Sequence, residues 1–516
     1  MPTTVTLLRD ARVPGRDGRF DVLVDDAGTV TVRAAAAAVA APAADPGRRP
    51  APAAGPVVVD LEGRWVVPGL WDEHVHMLQW SLAQARVDLS ATRSAAEALQ
   101  VVADHLAVLP DAGAHPRGVA DVVVGFGFRD ALWPDAPSLA GLDAVAGDVP
   151  VVLASGDGHC GWVGSAGARA LDARVGPSGI LSEEDWFALS RRLDRQAEAD
   201  LDGLVVVAAA HAASRGVVGI VDLEMADNLA AWRRRVAAGA TSLRVEAGVY
   251  ADRLEEWVAA GRRSGDGVEG TGGLVRVGSL KVMSDGSLNT RTAFCCTPYA
   301  DPGGASAEGD DPHRGALDVE PGELRRLLDR ARSAGIETTV HAIGDAAVRL
   351  VLDTYEELGG NGRMEHAQLV AAEDLPRFAA LGVVASIQPE HSMDDRDVVD
   401  RYWATTTALP FPLASLVAAG ATVRFGSDAP VATLDPWTAL AAAVHRTRDG
   451  REPWHPQERV DVRTALAAHA RGRDEVRTGD VADLVVVERD PFAPGEPLRD
   501  MPVWATMVGG RWTYRA

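Results

Sequence analysis

Trp65-Val66-Val67-Pro68-Gly69-Leu70-Trp71-Asp72-Glu73-His74-Val75-His76 runs from an apolar stretch directly into a cluster of ionisable residues. Trp65 to Trp71 reads as a buried strand, and the polar cluster stands at its C-terminal end. Two histidines separated by one residue on extended chain project to the same side, because side chains alternate with period two. That spacing suits two ligands to one metal ion. Working outward, seven more strands follow: Val217 to Leu223, Leu243 to Val249, Val275 to Met283, Glu337 to His341, Arg363 to His366, Val383 to Gln388 and Thr422 to Ser427. Helical patterns separate them, the signature of βα units. Eight such units predict an α/β fold, a (β/α)8 TIM-type barrel whose active face lies at the C-terminal ends of its strands.

The flanks have a different texture. Thr4 to Leu8, Asp21 to Val24, Thr29 to Arg33 and Val57 to Asp60 read as short strands, and so do Ala482 to Val487 and Val503 to Val508. A small β-sandwich domain formed by both chain ends is therefore expected from residues 1–66 and 475–516, with the barrel over 67–474. Ala34 to Pro56 is rich in Ala and Pro without periodicity and reads as a flexible loop. The gap between the first and second barrel strands far exceeds one helix. It carries helical patterns at Ser94 to Leu109 and Asp185 to Asp202 and strand-like runs at Asp121 to Phe126 and Val149 to Ala154. An inserted subdomain at about 90–205 is expected there.

Bulk properties narrow the function. A chain of 516 residues exceeds the usual size of one domain, and its apolar content of 47% supports a substantial core. A formal charge of −22 argues against nucleic-acid and anionic-membrane partners, which select basic faces. The three cysteines suggest no disulfide framework. The N-terminus lacks a signal-peptide pattern and no apolar run is long enough to span a bilayer, so a cytoplasmic location is expected.

The chemistry concentrates at strand ends. Of the 51 basic Lys and Arg residues only Lys281 is a lysine, and it lies at the end of the fourth strand. Arginine serves as a solvated charge but stays protonated, so it cannot supply a neutral amine. A neutral lysine that adds CO₂ becomes a carbamate, which has two oxygens and a negative charge to bridge metal ions. The fifth strand ends at His341, the sixth at His366 and the eighth beside Asp428. His74, His76, His341, His366, Asp428 and carbamylated Lys281 together predict a site for one or two divalent metal ions, zinc foremost. Water at such a site loses its proton near neutral pH and becomes a hydroxide nucleophile. Asp428 is then the catalytic residue that shuttles the proton to the leaving group.

These motifs resemble the amidohydrolase superfamily, and in particular its amidohydrolase 3 branch, which includes N-substituted formamide deformylases. The resemblance rests on Val67 to His76, Ser155-Gly156-Asp157-Gly158-His159 with Trp162, Lys281 to Leu288 with Arg291-Thr292-Ala293, and His341-Ala342-Ile343-Gly344-Asp345. Glu365-His366-Ala367-Gln368, Gln388-Pro389 with His391, and Gly426-Ser427-Asp428-Ala429-Pro430 complete it. It implies a metal-dependent hydrolase acting on a non-peptide C–N bond of a small molecule: an amide, N-substituted formamide, carbamate or cyclic amide. By analogy a homodimer is expected. Two departures stand out: Trp71 and Glu73 replace the usual smaller residues, and the tail from Ala467 to Leu484 is shortened.

Other residues complete the expected site. Asp157, His159, Arg291, Gln388 and His391 are candidate substrate contacts. Asp345 either orients His341 or caps the following helix. Trp162, Trp403 and Trp437 form an apolar wall or simply core, and Cys295 and Cys296 lack the partners of a nucleophile. Competing functions are a mononuclear heterocycle deaminase, against which Lys281 weighs, and a non-catalytic barrel scaffold, which would be expected to have lost ligands.

Overall fold

The computed structural model describes residues 5–35, 56–84, 86–108, 122–128, 130, 133–155, 160–182, 185–186, 188–189, 198–288, 291–300 and 313–516. The chain divides into two compact units, Met1–Met77 with Ala209–Ala516, and Leu78–Ala208.

The larger unit is built on eight parallel strands: β1 (Leu70–Val75), β2 (Val217–Asp222), β3 (Arg244–Tyr250), β4 (Val275–Met283), β5 (Thr338–Ala342), β6 (Gly362–His366), β7 (Val383–Ile387) and β8 (Val423–Phe425). Each pairs with the next in chain order, and every residue of β1, β2 and β5 is buried. A parallel strand covered on both faces reads as a continuous apolar run, which is why β2 was visible in the sequence, whereas β1 and β5 each bury several polar residues. Helices on the outer face show the complementary pattern. In Pro321–Ser333 the buried residues Leu324, Leu327, Leu328 and Ala331 recur at the spacing of one helical face. The ring closes between β8 and β1: Asp428 N donates to His74 O at 2.7 Å, His76 N to Ala429 O at 2.9 Å, and Val75 bridges Ala429 in parallel. The fold is a (β/α)8 TIM-type barrel.

One boundary differs from the sequence reading. Trp65–Pro68 is not part of the first barrel strand but pairs antiparallel with Leu484–Val487 in a separate sheet. The chain changes sheet at Pro68-Gly69, where a Cβ on Gly69 would lie 2.5 Å from a Val218 methyl. Apolar continuity hid the switch, although the Pro-Gly pair is a breaker signal.

The chain ends form two four-stranded sheets. One is ordered Val30–Ala34, Phe20–Val24, Thr6–Ala11, Val57–Asp60; the other Arg511–Arg515, Val503–Val508, Leu484–Val487, Trp65–Pro68. A single core containing Leu8, Val22, Val24, Val66, Leu484 and Met507 joins them. Most of the Ala34 to Pro56 stretch lies outside the described residues.

The smaller unit carries a five-stranded sheet ordered Ile180–Ser182, Cys160–Val163, Val151–Ser155, Val123–Phe128, Val87–Asp88. Helices Ala95–Val108 and Leu139–Ala146 contribute Val102 and Leu142 to a core with Phe128, Leu153 and Trp162. Among the described residues no helix is long and apolar enough to cross a membrane.

Candidate active site

The seam of the barrel also builds the site. Buried Asp72 accepts from Ser427 N at 2.9 Å and His74 N at 3.1 Å, pinning the ends of β1 and β8 together. Burial pushes its carboxyl up to about 7, with the Ser427 and His74 donors pulling the other way. The approach is close enough that a Cβ on Gly426 would lie 2.6 Å from His74 N, a backbone atom that cannot swing aside. Gly426→Ala is therefore expected to lose about 1–3 kcal/mol of stability and to weaken metal retention, read by thermal melting and elemental analysis.

His74, His366 and Asp428 each offer a ligand atom, and these atoms lie within 4.8 Å of one another. His74 Nε2 and His76 Nε2 both stand 3.3 Å from Asp428 Oδ1, as expected for two histidines on one side of a strand. His366 packs at 4.4 Å between ring centroids from His341 and at 5.1 Å from His74. His391 Nε2 approaches Asp428 Oδ2 at 4.0 Å. His366 (φ 74°) and Asp428 (φ 58°) both have left-handed backbone. This conformation is costly for residues with a side chain and is concentrated at functional sites.

The electrostatics favour ligand-ready protonation states. Burial drives the His74 imidazole down, and Lys281 adds to the effect; the same two causes take His341 to about 3. Burial also puts His366 well below its usual range, helped by His341. For His76 burial is overcome by the hydrogen bond and charge of Asp428, so its pKa rises. Burial opposes ionisation of Asp428, but His74 and His76 hold its carboxyl well below normal. The result is mostly neutral imidazoles around an ionised carboxylate, the states that metal binding requires.

Lys281, on β4, is 1% exposed, and among the described residues its Nζ has no hydrogen-bond partner. Burial lowers its pKa to about 8, against the pull of Glu365 and Asp428. His76 Nδ1, His366 Nδ1, His391 Nε2 and Gln388 Oε1 are likewise buried without partners. Buried polar atoms are normally satisfied, so so many in one cluster fit the residues to a cation that takes lone pairs.

Glu365, to which the sequence motifs assign no role, touches the cluster directly. Its Oε2 lies 2.8 Å from His74 Nδ1, while Oε1 accepts from Thr339 Oγ1 at 2.6 Å and Arg363 Nε at 2.8 Å. Burial would raise its carboxyl, but Arg363 and His74 hold it far below normal. A carboxylate on Nδ1 leaves Nε2 as the free lone pair of His74 and fixes its ring. Glu365→Gln is expected to weaken metal affinity about 10–100-fold, measured by competition with a chelator.

From Glu365 the ion pairs continue. Arg363 Nη1 donates to Glu73 Oε2 at 2.7 Å, Arg471 Nε to Glu73 Oε1 at 2.6 Å, and Arg471 Nη1 to Glu246 Oε1 at 2.5 Å. Arg471 also lies 3.4 Å over the Trp71 ring. Trp71 and Glu73, the two departures in the first motif, thus share one partner from the shortened tail.

Asp285 is a second unassigned residue. It accepts from Ile343 N, Gly344 N and Phe294 N at 2.9–3.0 Å and comes within 3.5 Å of His341 Nε2. Asp345 opens the helix Asp345–Glu357 and accepts from Cys296 N at 2.8 Å, and no described contact joins it to His341. Of the candidate substrate contacts, Gln388 is buried with Nε2 3.5 Å from His74 Nδ1, and Gln368 Nε2 lies 3.3 Å from His391 Nδ1. Arg291 is exposed and lies over Tyr402, and no described contact joins it to His74, His76, His341, His366 or His391. Asp157 and His159 lie outside the described residues. Trp162, Trp403 and Trp437 are core. Burial raises both adjacent thiols, Cys295 to about 12, the reverse of an activated nucleophile.

The model of the family described as "Amidohydrolase family" matches residues 57–514. The chain is 26% identical to the putative amidohydrolase YtcJ of Bacillus subtilis (strain 168), over 88% of this chain and 90% of that protein. It is 28% identical to the N-substituted formamide deformylase of Arthrobacter pascens, over 89% of this chain and 90% of that one. The crystal structure of an uncharacterized metal-dependent hydrolase from Pyrococcus horikoshii OT3 superposes with a TM-score of 0.72 at 23% identity, covering 95% of this chain and 98% of that chain.

Proposed function

Because the chain belongs to the amidohydrolase family, we propose that it is a metal-dependent hydrolase cleaving a non-peptide C–N bond of a small molecule. An amide or N-substituted formamide is the substrate class favoured by its likeness to the deformylase. The observation that carries this reading is the convergence of His74, His366 and Asp428 within 4.8 Å of one another, beside a buried lysine whose amine has no partner among the described contacts. His74, His76, His341, His366 and Asp428, with Lys281 as its carbamate, would hold one or two divalent ions, and zinc suits such donors. A bound ion would supply Lewis acidity and acidify water.

The remaining work falls to the chain. Neutral Lys281 Nζ adds CO₂ and releases one proton, which turns an unpaired buried amine into an anion. Glu365 holds His74 in one tautomer. Asp428 Oδ1, 3.3 Å from both imidazoles of the first motif, takes a proton from water and returns it to the departing nitrogen. His391, 4.0 Å from Asp428 Oδ2, and Gln388, beside His74, contact substrate.

The test is metal content per chain by elemental mass spectrometry, with bicarbonate present during expression, followed by a screen of N-formyl and N-acyl amines for release of free amine. Stoichiometric metal together with amine release supports the proposal. A protein that binds no divalent ion and cleaves none of these substrates sinks it.

A further inference from the structure

We propose that the N-terminal mouth of the barrel, the end away from the histidines, is a binding site for a small multivalent oxyanion carrying phosphate or carboxylate groups. A cavity of about 730 Å³ opens there, where Arg276 of β4, Thr338 of β5, Arg363 of β6, Val384 of β7 and Arg424 of β8 line the strand starts. That volume falls within the range of pockets that enclose one small ligand.

Its charge is opposite to that of the protein. The chain carries −22 overall, yet five arginines face three glutamates around this cavity. Glu73 and Glu246 are already committed to Arg363 and Arg471. Three guanidiniums remain without a carboxylate among the described contacts. Half-buried Arg424 donates only to Val423 O at 3.1 Å. Arg332 donates to Asn361 O at 2.8 Å and Leu358 O at 2.9 Å, and Arg276 is exposed. Among the described contacts, Glu337 is the one lining carboxylate without an arginine partner.

Arginines stay charged, so their mutual repulsion in a concave site is relieved by an anion rather than by proton loss. Burial, Arg471 and Arg363 all act against the charge on Arg424, and only Glu73 offsets them. Guanidinium forks match phosphate and carboxylate geometry, which gives such a site its chemistry. Arg363 and Arg471 also belong to the ion-pair series that ends on His74, so ligand and metal ends share structural members.

The test is calorimetric titration of the metal-loaded protein with inorganic phosphate and, separately, with succinate, at ionic strength held constant with sodium chloride. Wild type is expected to show one saturable site for at least one of them, and the tighter of the two identifies the ligand class. Arg424→Gln is expected to weaken that site about tenfold or more. Arg276→Ala, at an exposed position, serves as a second variant should the first misfold, and metal content is checked in each. Weakening in either folded variant with metal retained supports the site. No saturable binding in wild type, or equal binding in wild type and both variants, overturns it.

Discussion

Lys281→Met is expected to bind fewer metal ions per chain and to lose hydrolysis by roughly two to three orders of magnitude, yet to melt at a higher temperature than wild type when both are metal-free. The two effects have one origin. Methionine matches the lysine stem in volume but cannot form a carbamate or carry a charge. In the fold the lysine titrates at about 8 rather than 10.5, chiefly through burial. Folding therefore expels a proton between these values, and the unfolded chain binds more protons than the native one. Wild-type stability rises with pH through that window, and below about 8 the full cost of roughly 3 kcal/mol is present. Methionine removes that cost. The gap in melting temperature between metal-free proteins should be widest below pH 8 and close above 10.5. An unchanged metal count in Lys281→Met would reduce the lysine to a passive core residue.

Asp428→Asn should cost about 10²–10⁴ in kcat while leaving a folded barrel. Asparagine keeps the shape and one carbonyl acceptor, so the contacts at the seam survive. It cannot take up a proton. In wild type His74 and His76 keep Asp428 ionised far below neutrality, so its loss of charge should not shape the pH profile of kcat in the neutral range. The substitution also removes the group that raises His76, and in metal-free protein the His76 resonance should titrate at lower pH than in wild type. Retained kcat in Asp428→Asn would assign proton transfer elsewhere.

The barrel was legible because its strands are buried on both faces and because their polar ends are chemically unlike everything before them. That His74 and His76 face the same side followed from alternation. The role of Glu365 did not, because alternation places it and His366 on opposite faces of β6. The left-handed φ of His366 breaks that pattern at the strand end, and both residues serve the cluster. Asp285 was hidden for another reason: it acts through backbone amides of a segment about sixty residues downstream, a pairing that no local pattern announces. The switch of sheet at Gly69 was masked by unbroken hydrophobicity, since both cores demand the same residue types. Pairing of Glu73 with Arg363 and Arg471 likewise joins distant segments, so the first motif showed an anomaly without its explanation.

Closure of the ring through Asp72, His74 and Asp428 sets a timetable for maturation. Ser427 and Asp72 stand 355 positions apart in the chain. At ordinary rates of translation, roughly 20 to 70 s separate their appearance. The opening pair of histidines leaves the ribosome long before the aspartate that completes their set. On the proposed function, an ion captured early would be held by a fragment of the site, and full loading would belong to the finished polypeptide. A chain stalled before residue 423 lacks both the last stave of the barrel and the carboxylate just beyond it, so closure of the ring and completion of the cluster come together, late in synthesis.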